Sequence, residues 1–323
     1  MQFIAEPEPS DARARDVADL APDNAFATAA FATARRRLGH RCWLLGLGVR
    51  TGLRSACFGF IRHGRLNRSL ELASLPTLED DEPFWEGLLR FCHEQRVTIL
   101  ELNSFSSQAV SIPTLPREAV RRARMEWVID LTADWQSEIS TNHRRNISRS
   151  RRLGVSIRRG RDADALAAHC ELIRASIGRR QRRLGEDTTS VVAPEALVRA
   201  LMEAGAGDCF QAVLADRVLS SALILKAERG GYYHSAATSD EGMEAGASAF
   251  LIQALAETLR LEGRTMFNLG DAGPDNPGLQ RFKAGFGARG VPLTAVRARP
   301  FSVRRSPLAA VMYFGQQFLG GLR

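Results

Sequence analysis

The sequence contains few cysteines, and none of them suggests a metal site. The five residues are scattered, odd in number and show no CxxC spacing (Cys42, Cys57, Cys92, Cys170, Cys209). A zinc site or a disulfide framework would need paired or regularly spaced cysteines. We therefore expect free thiols in a reducing compartment and no bound metal.

Long apolar runs are also missing. No stretch approaches the roughly 18 apolar residues that a membrane-spanning helix needs. The N-terminal segment MQFIAEPEPSDARARD lacks the basic start and the apolar stretch of a signal peptide. With 45% hydrophobic and 25% charged residues, the composition is that of a globular protein. We expect a cytoplasmic protein whose 323 residues suffice for two modest domains.

Lysine is almost absent from the sequence. Among 44 basic residues only Lys226 and Lys283 are lysines. Where arginine has replaced most exchangeable lysines, the remaining ones mark positions that need an ammonium group, since arginine differs in hydrogen-bond geometry and in how readily its pKa shifts. Lys226 precedes a predicted hairpin turn, Ala227–Gly231, and is expected at the surface. Lys283 is therefore the more informative of the two.

Positive charge is concentrated in one segment. Residues 144–183 contain thirteen arginines against three acidic residues, a balance of +10 in a chain whose net charge is +8. Such a localised field favours a polyanionic partner, for which the phosphates of a nucleotide cofactor, a tRNA or a membrane surface all qualify. A solvated helix face is the alternative. No aromatic residues alternate with the arginines to stack bases, and we expect no DNA partner.

The order of predicted elements divides the chain into four parts. Residues 1–22 predict a flexible leader, 23–131 an N-terminal unit, 132–300 a C-terminal unit that begins with a helix over 132–153, and 301–323 an amphipathic tail. Both units alternate pairs of strands with helices, which predicts an α/β (α+β) fold with mixed sheets flanked by helices. The tail either packs on its own domain or lies peripherally on a membrane surface, which would be the inner face.

One helix start is suited to bind an anion. Between residues 209 and 286 the predicted order is three strands, a helix from about Ala245, a strand and a short helix. The small residues Gly246, Ala247 and Ser248 lie at the start of the long helix, where free N–H groups and the helix dipole attract phosphates. The arrangement resembles the pyrophosphate arm of GNAT acyltransferases, which bind acyl-CoA, with Met243 in place of the family's Arg or Gln.

Three segments resemble the Fem-like branch of the GNAT superfamily. They are TNHRRNISRSRRLGV at 141–155, FNLG at 267–270 and GLQRFKAGFG at 278–287. The resemblance covers roughly residues 125–290 and implies two GNAT-like units in tandem. Fem enzymes transfer amino acids from aminoacyl-tRNA to peptidoglycan precursors. The chain departs from the branch at Asn268, where an aspartate is usual, and Asp271 lies close enough to substitute.

Catalytic roles follow from the chemistry of acyl transfer. The tetrahedral intermediate has an oxyanion that a preplaced cation stabilises, and Lys283 next to Phe282 is suited to this. The Phe-Lys pair of the Fem-like enzymes implies the same role. His234 and Asp271 are the candidate bases for the proton of the attacking amine. Proton transfer assisted by the substrate alone is the alternative.

Further residues are candidates for binding. Arg145 and Arg149 share one helix face and are expected to contact phosphate. The candidates for substrate binding are Tyr232, Asn142, Arg144 and Arg281.

The sequence therefore predicts an acyltransferase that uses acyl-CoA or aminoacyl-tRNA and acts by direct attack of an amine acceptor. The alternatives are a Fem-type peptidyltransferase acting on a cell-envelope or natural-product precursor, and a non-catalytic polyanion-binding protein on a degenerate GNAT scaffold.

Overall fold

The structure is a computed structural model that describes residues 1–49, 52–65, 67–78, 82–106, 110–184 and 195–300. The predicted tail, 301–323, lies outside the described residues. The strands are β1 (Gln2–Pro7), β2 (Arg41–Val49), β3 (Gly52–His63), β4 (Arg68–Leu72), β5 (Ile99–Asn103), β6 (Glu118–Asp130), β7 (Ser156–Gly160), β8 (Gly207–Leu214), β9 (Arg217–Lys226), β10 (Gly230–Thr238), β11 (Met266–Asp271) and β12 (Arg289–Ala298).

Helices cover the faces of these strands. They are α1 (Asp11–Leu20), α2 (Ala29–Arg37), α3 (Glu82–Glu94), α4 (Thr141–Arg152), α5 (Ala163–Leu184), α6 (Glu195–Glu203), α7 (Asp240–Ala245), α8 (Ala247–Leu261) and α9 (Pro277–Ala284), and a short 3-10 helix spans Ala25–Ala27. No helix in the described part of the chain is long and apolar enough to cross a membrane.

The strands form one continuous sheet with an internal repeat. Their order is β1-β2-β3-β4-β5-β12-β6-β11-β10-β9-β8-β7. From either edge, the first four strands are antiparallel neighbours, the fourth and fifth are parallel, and the sixth is antiparallel to the fifth. The two halves of the sheet thus have the same topology, which confirms the tandem α/β fold predicted from the alternation of strand pairs and helices.

The two halves exchange their central strands. β6 follows the first half in the chain but pairs with β11 of the second half, and β12 pairs with β5 of the first half. β6 and β12 also pair with each other, from Glu118↔Ala298 to Val128↔Arg289, and join the halves. A division of the chain at residue 131 therefore does not separate the two half-sheets.

Three apolar clusters make up the core. One lies under α3 in the N-terminal half, another under α8 in the C-terminal half, and the third joins α1 and α2 to α5 and α6 across the halves. The continuous sheet and the third cluster make the halves a single packed body. One consequence is that residues of the N-terminal half contribute to the surroundings of the C-terminal cleft.

Three local expectations are wrong. The segment 1–22, predicted as a flexible leader, is folded: β1 pairs along β2, and α1 buries Ala14 and Val17. The helix predicted over 132–153 begins only at Thr141, where Ser140 caps it by accepting a hydrogen bond from the His143 N–H. Lys226 is not a free surface residue, since its Nζ lies 3.0 Å from the buried carboxylate of Asp208.

Candidate active site

The sheet opens between β10 and β11. Although both strands are fully described, they pair only over Gly230–Tyr232 with Met266–Asn268. In the N-terminal half, the equivalent strands β4 and β5 stay paired through Leu72, the last residue of β4. The C-terminal half therefore has a cleft where the N-terminal half has a closed ladder.

Two overlapping cavities occupy this opening. The larger, which we call the α5 cavity, has a volume of about 660 Å³ and lies between α5, α6, β10 and α9. The smaller, the α8 cavity, has a volume of about 310 Å³ and extends towards the start of α8 at Ser248. Tyr233, Leu269 and Lys283 line both cavities. A ligand that entered from α8 would thus pass Lys283 before reaching the α5 cavity.

Lys283 is a buried ammonium group at the junction of the two cavities. Its residue is only 7% exposed, and its Nζ donates a hydrogen bond to the main-chain oxygen of Asp271 at 2.8 Å. Burial lowers the pKa of Lys283 to about 8, against the opposing effect of Asp271 and Glu126. The side chain is therefore mostly protonated at pH 7, which fits the expectation that this position needs a cation.

His143 fixes the helix that contains Lys283. Its Nε2 lies 2.8 Å from the main-chain oxygen of Phe282, and because a carbonyl only accepts, Nε2 is the donor. The imidazole stacks on Phe286 with ring centroids 4.1 Å apart, and the Phe282 ring packs edge-on at 5.0 Å. The basic segment and the Phe-Lys segment of the sequence therefore meet directly. His143 was not among the predicted site residues.

A buried polar network holds the end of β11. Asn268, which is fully buried, donates through Nδ2 to Glu126 Oε2 at 2.7 Å and to Ser106 Oγ at 2.8 Å. Its Oδ1 accepts the Gly270 N–H at 2.7 Å, where Gly270 has a left-handed φ of 77°. Arg124 pairs with Glu126 at 3.0 Å and lies 3.4 Å from Asp271. Burial raises the pKa of Glu126, and Arg124 and Asn268 oppose that effect.

The two candidate bases lie in different environments. Asp271 lines the α5 cavity, but its carboxylate accepts from the Met125 N–H at 3.2 Å and pairs with Arg124, so the carboxylate is held on the β6 side. His234 also lines the α5 cavity, and its buried Nδ1 has no hydrogen-bond partner among the residues that the structure describes. Burial lowers the pKa of His234 to about 4, so the imidazole is neutral at pH 7. The catalytic role of either residue stays a prediction.

Tyr232, a candidate for substrate binding, lines the α5 cavity, but its ring belongs to the core. A role in substrate binding stays a prediction. The ring packs edge-on against Phe26 at 4.8 Å and lies 6.0 Å from Phe105, both residues of the N-terminal half. Burial raises the pKa of Tyr232.

The expected phosphate site at the start of α8 is largely covered by α4. Gly246 has a φ of 76°, and a Cβ there would lie 2.6 Å from the main-chain oxygen of Asn146. Ala247 is fully buried, while Ser248 lines the α8 cavity. Arg149 of α4 also binds the end of α7, where it donates to the main-chain oxygen of Glu244 at 2.9 Å. Of the three small residues, the structure brings only Ser248 to the cleft.

The remaining predicted binding residues lie outside the cleft. Arg144, Arg145 and Arg149 line a shallow groove of about 390 Å³ on the outer face of α4. Asn142 is exposed at the start of the same helix, and Arg281 is exposed on α9. The arginines of α4 form a basic surface next to α7, where Arg149 bonds to Glu244, and none of these five residues lines the two cavities.

Two residues of α5 that were not predicted do line or support the cleft. Arg179 lines the α8 cavity and donates to the main-chain oxygen of Thr238, and it pairs with Asp240 at 3.3 Å. His169 lines the α5 cavity and bonds to strands β9 and β10. No local sequence motif identifies either residue, because the position of each depends on contacts between α5 and the strands β9 and β10, which are distant in sequence.

Comparisons with known proteins agree with this geometry. Residues 137–284 match the family model of the acetyltransferase (GNAT) domain. The chain is similar in structure to FemX (TM-score 0.67, 11% identity, covering 91% of this chain and 97% of that one). It is also similar to L-PGS from Bacillus licheniformis, with a TM-score of 0.55 and 14% identity over 95% of this chain and 96% of that one. A tandem GNAT protein from the clavulanic acid biosynthesis pathway has a TM-score of 0.52 and 12% identity over 94% of this chain and 100% of that one.

At these identities the structural likeness shows a shared fold. A search of curated protein sequences finds no match. The family model supports the resemblance to the GNAT superfamily over residues 137–284, and the solved structures confirm the tandem GNAT-like fold. The assignment to the Fem-like branch stays a prediction.

Proposed function

We propose that this protein transfers an acyl or aminoacyl group from an activated carrier to an amine acceptor in the cleft between β10 and β11. The observation that supports this most is the position of Lys283. Its ammonium group is buried, protonated at neutral pH and located where the α8 cavity meets the α5 cavity. A buried positive charge stabilises developing negative charge far better than one in water.

In the proposed reaction the acceptor amine attacks the carbonyl carbon of the donor ester or thioester. The carbonyl oxygen gains negative charge, and Lys283 Nζ donates to it. The tetrahedral intermediate then collapses and the bond to the leaving oxygen or sulfur of the carrier breaks. The proton of the amine passes to that leaving atom, either directly or through Asp271 or His234. The Asp271 main-chain oxygen and His143, through Phe282, keep Lys283 in place.

The covered start of α8 favours a carrier other than CoA. Because Asn146 lies against Gly246, less of this helix start is open to the phosphates of a donor. The exposed arginines of α4 offer another place, since Arg149 touches Glu244, the neighbour of Met243, which lines the α8 cavity. This arrangement supports aminoacyl-tRNA as the donor, with its polyanionic body on α4 and its aminoacyl end in the cleft.

Two finer alternatives stay open within this proposal. A peptidyltransferase of the Fem type would take a cell-envelope or natural-product precursor as its amine, whereas an N-acyltransferase would take a small amine. A non-catalytic polyanion-binding protein would use the α4 surface without the cleft. Both carriers are cytoplasmic molecules, so we expect the protein in the cytoplasm, with any membrane contact through residues 301–323 remaining a prediction.

The two lysines provide a matched experiment. Lys283→Arg replaces the buried ammonium by a bulkier planar cation. Lys226→Arg is the control, because arginine can form the same ion pair with Asp208 that lysine forms. Transfer to a mixture of amines would be measured with radiolabelled acetyl-CoA and with charged tRNA as donors. We expect Lys283→Arg and Lys283→Ala to lower kcat by about 10²–10³, while Lys226→Arg retains activity.

The outcomes separate the alternatives. Turnover of charged tRNA but not of acetyl-CoA would support the aminoacyl branch, and the reverse result would direct the search to small amines. Full activity of Lys283→Ala would refute the assignment of Lys283. Tight tRNA binding without any transfer would favour the non-catalytic alternative.

A further inference from the structure

A buried histidine in the wall of the α5 cavity connects two serines. His169 of α5 is 0% exposed, and its Nε2 lies 2.9 Å from Ser235 Oγ, while its Nδ1 lies 3.0 Å from Ser221 Oγ. Ser235 itself lines the α5 cavity. The three side chains thus form a row that runs from the interior of the sheet to the cavity.

A β-bulge in β10 directs Ser235 to this position. The register with β9 shifts between Tyr233 and Ser235, so that Tyr233 pairs with Ile224 and Ser235 with Leu223. In a regular strand these two residues would share one face of the sheet. With the bulge, Tyr233 packs into the core under α8, and Ser235 faces α5. Bulges often re-aim a side chain in this way beside active sites.

The row has the arrangement of an activated nucleophile. Such a group needs a hydroxyl within hydrogen-bond reach of a base, and a third group that orients the base. If Nδ1–H donates to Ser221, the lone pair of Nε2 accepts the hydrogen of Ser235. Burial keeps His169 neutral at pH 7, the form that can accept a proton, by lowering its pKa to about 4. The same burial disfavours the imidazolium, so the reaction should be slow.

We propose that Ser235 is a nucleophile that takes an acyl group from an activated ester, with His169 as its base. Ser235 Oγ attacks the carbonyl carbon and gives its proton to His169 Nε2. The bond to the leaving oxygen breaks, and that oxygen takes the proton from Nε2. Water then attacks the acyl-serine by the same proton route, which releases the acid and restores Ser235. The protein would thus have an esterase activity that requires no amine acceptor.

The experiment uses p-nitrophenyl acetate and the full-length protein. We expect a stoichiometric burst of p-nitrophenolate, followed by slower turnover. Mass spectrometry of the acid-quenched protein should show an added acetyl group that peptide mapping assigns to Ser235. Alkaline hydroxylamine should remove this group, because it cleaves oxygen esters and leaves amides intact. Ser235→Ala should abolish the burst, and His169→Gln should slow it by about 10².

Ser220→Ala is the matched control. Ser220 is a buried serine of the same sheet whose Oγ bonds to Thr238 Oγ1 at 2.8 Å and to the main-chain oxygen of Ala237. This variant should keep the burst. Thermal unfolding of each variant distinguishes loss of reactivity from loss of folding, and Ser235→Cys, which keeps a nucleophile at the same position, should acquire a thioester if Ser235→Ala is poorly folded.

Several results would overturn the inference. They are a burst that survives in Ser235→Ala, an acetyl group that maps to another residue such as Lys283 as an amide, or no reaction of the folded wild-type protein. The outcome is distinguishable from that of the proposed amine transfer, because the ester assay contains no amine. Ser235 labelling without amine transfer would leave this inference standing and refute the proposed function.

Discussion

Asn268→Asp is the substitution that best tests the buried network at the end of β11. The wild-type amide donates to Glu126 at 2.7 Å, and neither side chain is accessible to solvent. A hydrogen bond to a charged group contributes about 1.5–3 kcal/mol, and the new carboxylate would lose it. It would also place a second negative charge against Glu126. Because Arg124 offsets only part of this repulsion, we expect the free energy of unfolding to fall by about 3 kcal/mol at pH 8.

The loss should depend on pH with a definite sign. Two carboxylates at this distance hold one proton between them, so the pair titrates in the folded state well above the value of about 3.9 that Asp has in the unfolded chain. A pKa raised by folding gives stability that is present below the unfolded pKa and disappears as the pH rises through the folded pKa. The variant should therefore approach wild-type stability near pH 4–5 and fall away from it towards pH 8, by about 1.4 kcal/mol for each pH unit between the unfolded and the folded pKa.

Urea unfolding of the wild type and the variants from pH 4.5 to pH 8.5 measures this effect. Glu126→Gln combined with Asn268→Asp exchanges donor and acceptor, and should recover most of the loss at pH 8. Asn142→Asp, an exposed exchange of the same type at the start of α4, should change stability by less than about 0.5 kcal/mol at every pH. A difference between Asn268→Asp and wild type that is the same at pH 5 and pH 8 would refute the reasoning.

Two further predictions test how α4 supports the cleft. Gly246→Ala and Gly263→Ala both force alanine into a left-handed φ, of 76° and 81°, but only the first places its Cβ against Asn146. In denaturant titrations the free energy of unfolding of Gly246→Ala should therefore be about 1–3 kcal/mol lower than that of Gly263→Ala. Equal losses would show that α4 does not pack there. His143→Phe keeps the stacked ring but removes the donor to the main-chain oxygen of α9, and should cost about 1–3 kcal/mol and lower kcat for transfer more than it changes KM. An unchanged kcat in a correctly folded variant would show that His143 does not position Lys283.

Local pattern predicted many of the elements well. The apolar run at 41–49 has the pattern of a buried strand, and β2 has these limits. Gly39, Gly154 and Gly263 lie just past helix ends in left-handed conformations, where glycine commonly ends a helix. Within β6 only the segment WVIDL at 127–131 has the apolar pattern of a strand, but the strand begins at Glu118. Its first half is exposed and arginine-rich, so the sequence gives no alternation there. Pairing with β12, more than 150 residues further along the chain, makes it a strand.

The candidate site, like the fold, was predictable where it depends on local sequence and not where it depends on distant contacts. The scarcity of lysine and the segment around Phe282 pointed to Lys283, and the structure places it in the cleft. The short strand segment FNLG drew attention to Asn268 as a departure from the related sequences. Its partner Glu126 could not be predicted, because nothing in WVIDL or the residues before it shows which side chain will face Asn268 across the exchanged strand.

The sequence by itself determined the class of fold, the repeated order of strands and helices, and the segments that form α4, the end of β11 and α9. These depend on hydrophobic periodicity, turn residues and short motifs, all of which act within a few residues. Only the tertiary structure decided that α4 would cover Gly246, that Glu126 would meet Asn268 across 142 residues and that His169 would meet Ser235 across 66. A buried polar group must find a partner wherever packing places one, and that partner is fixed by the pairing of distant strands and helices.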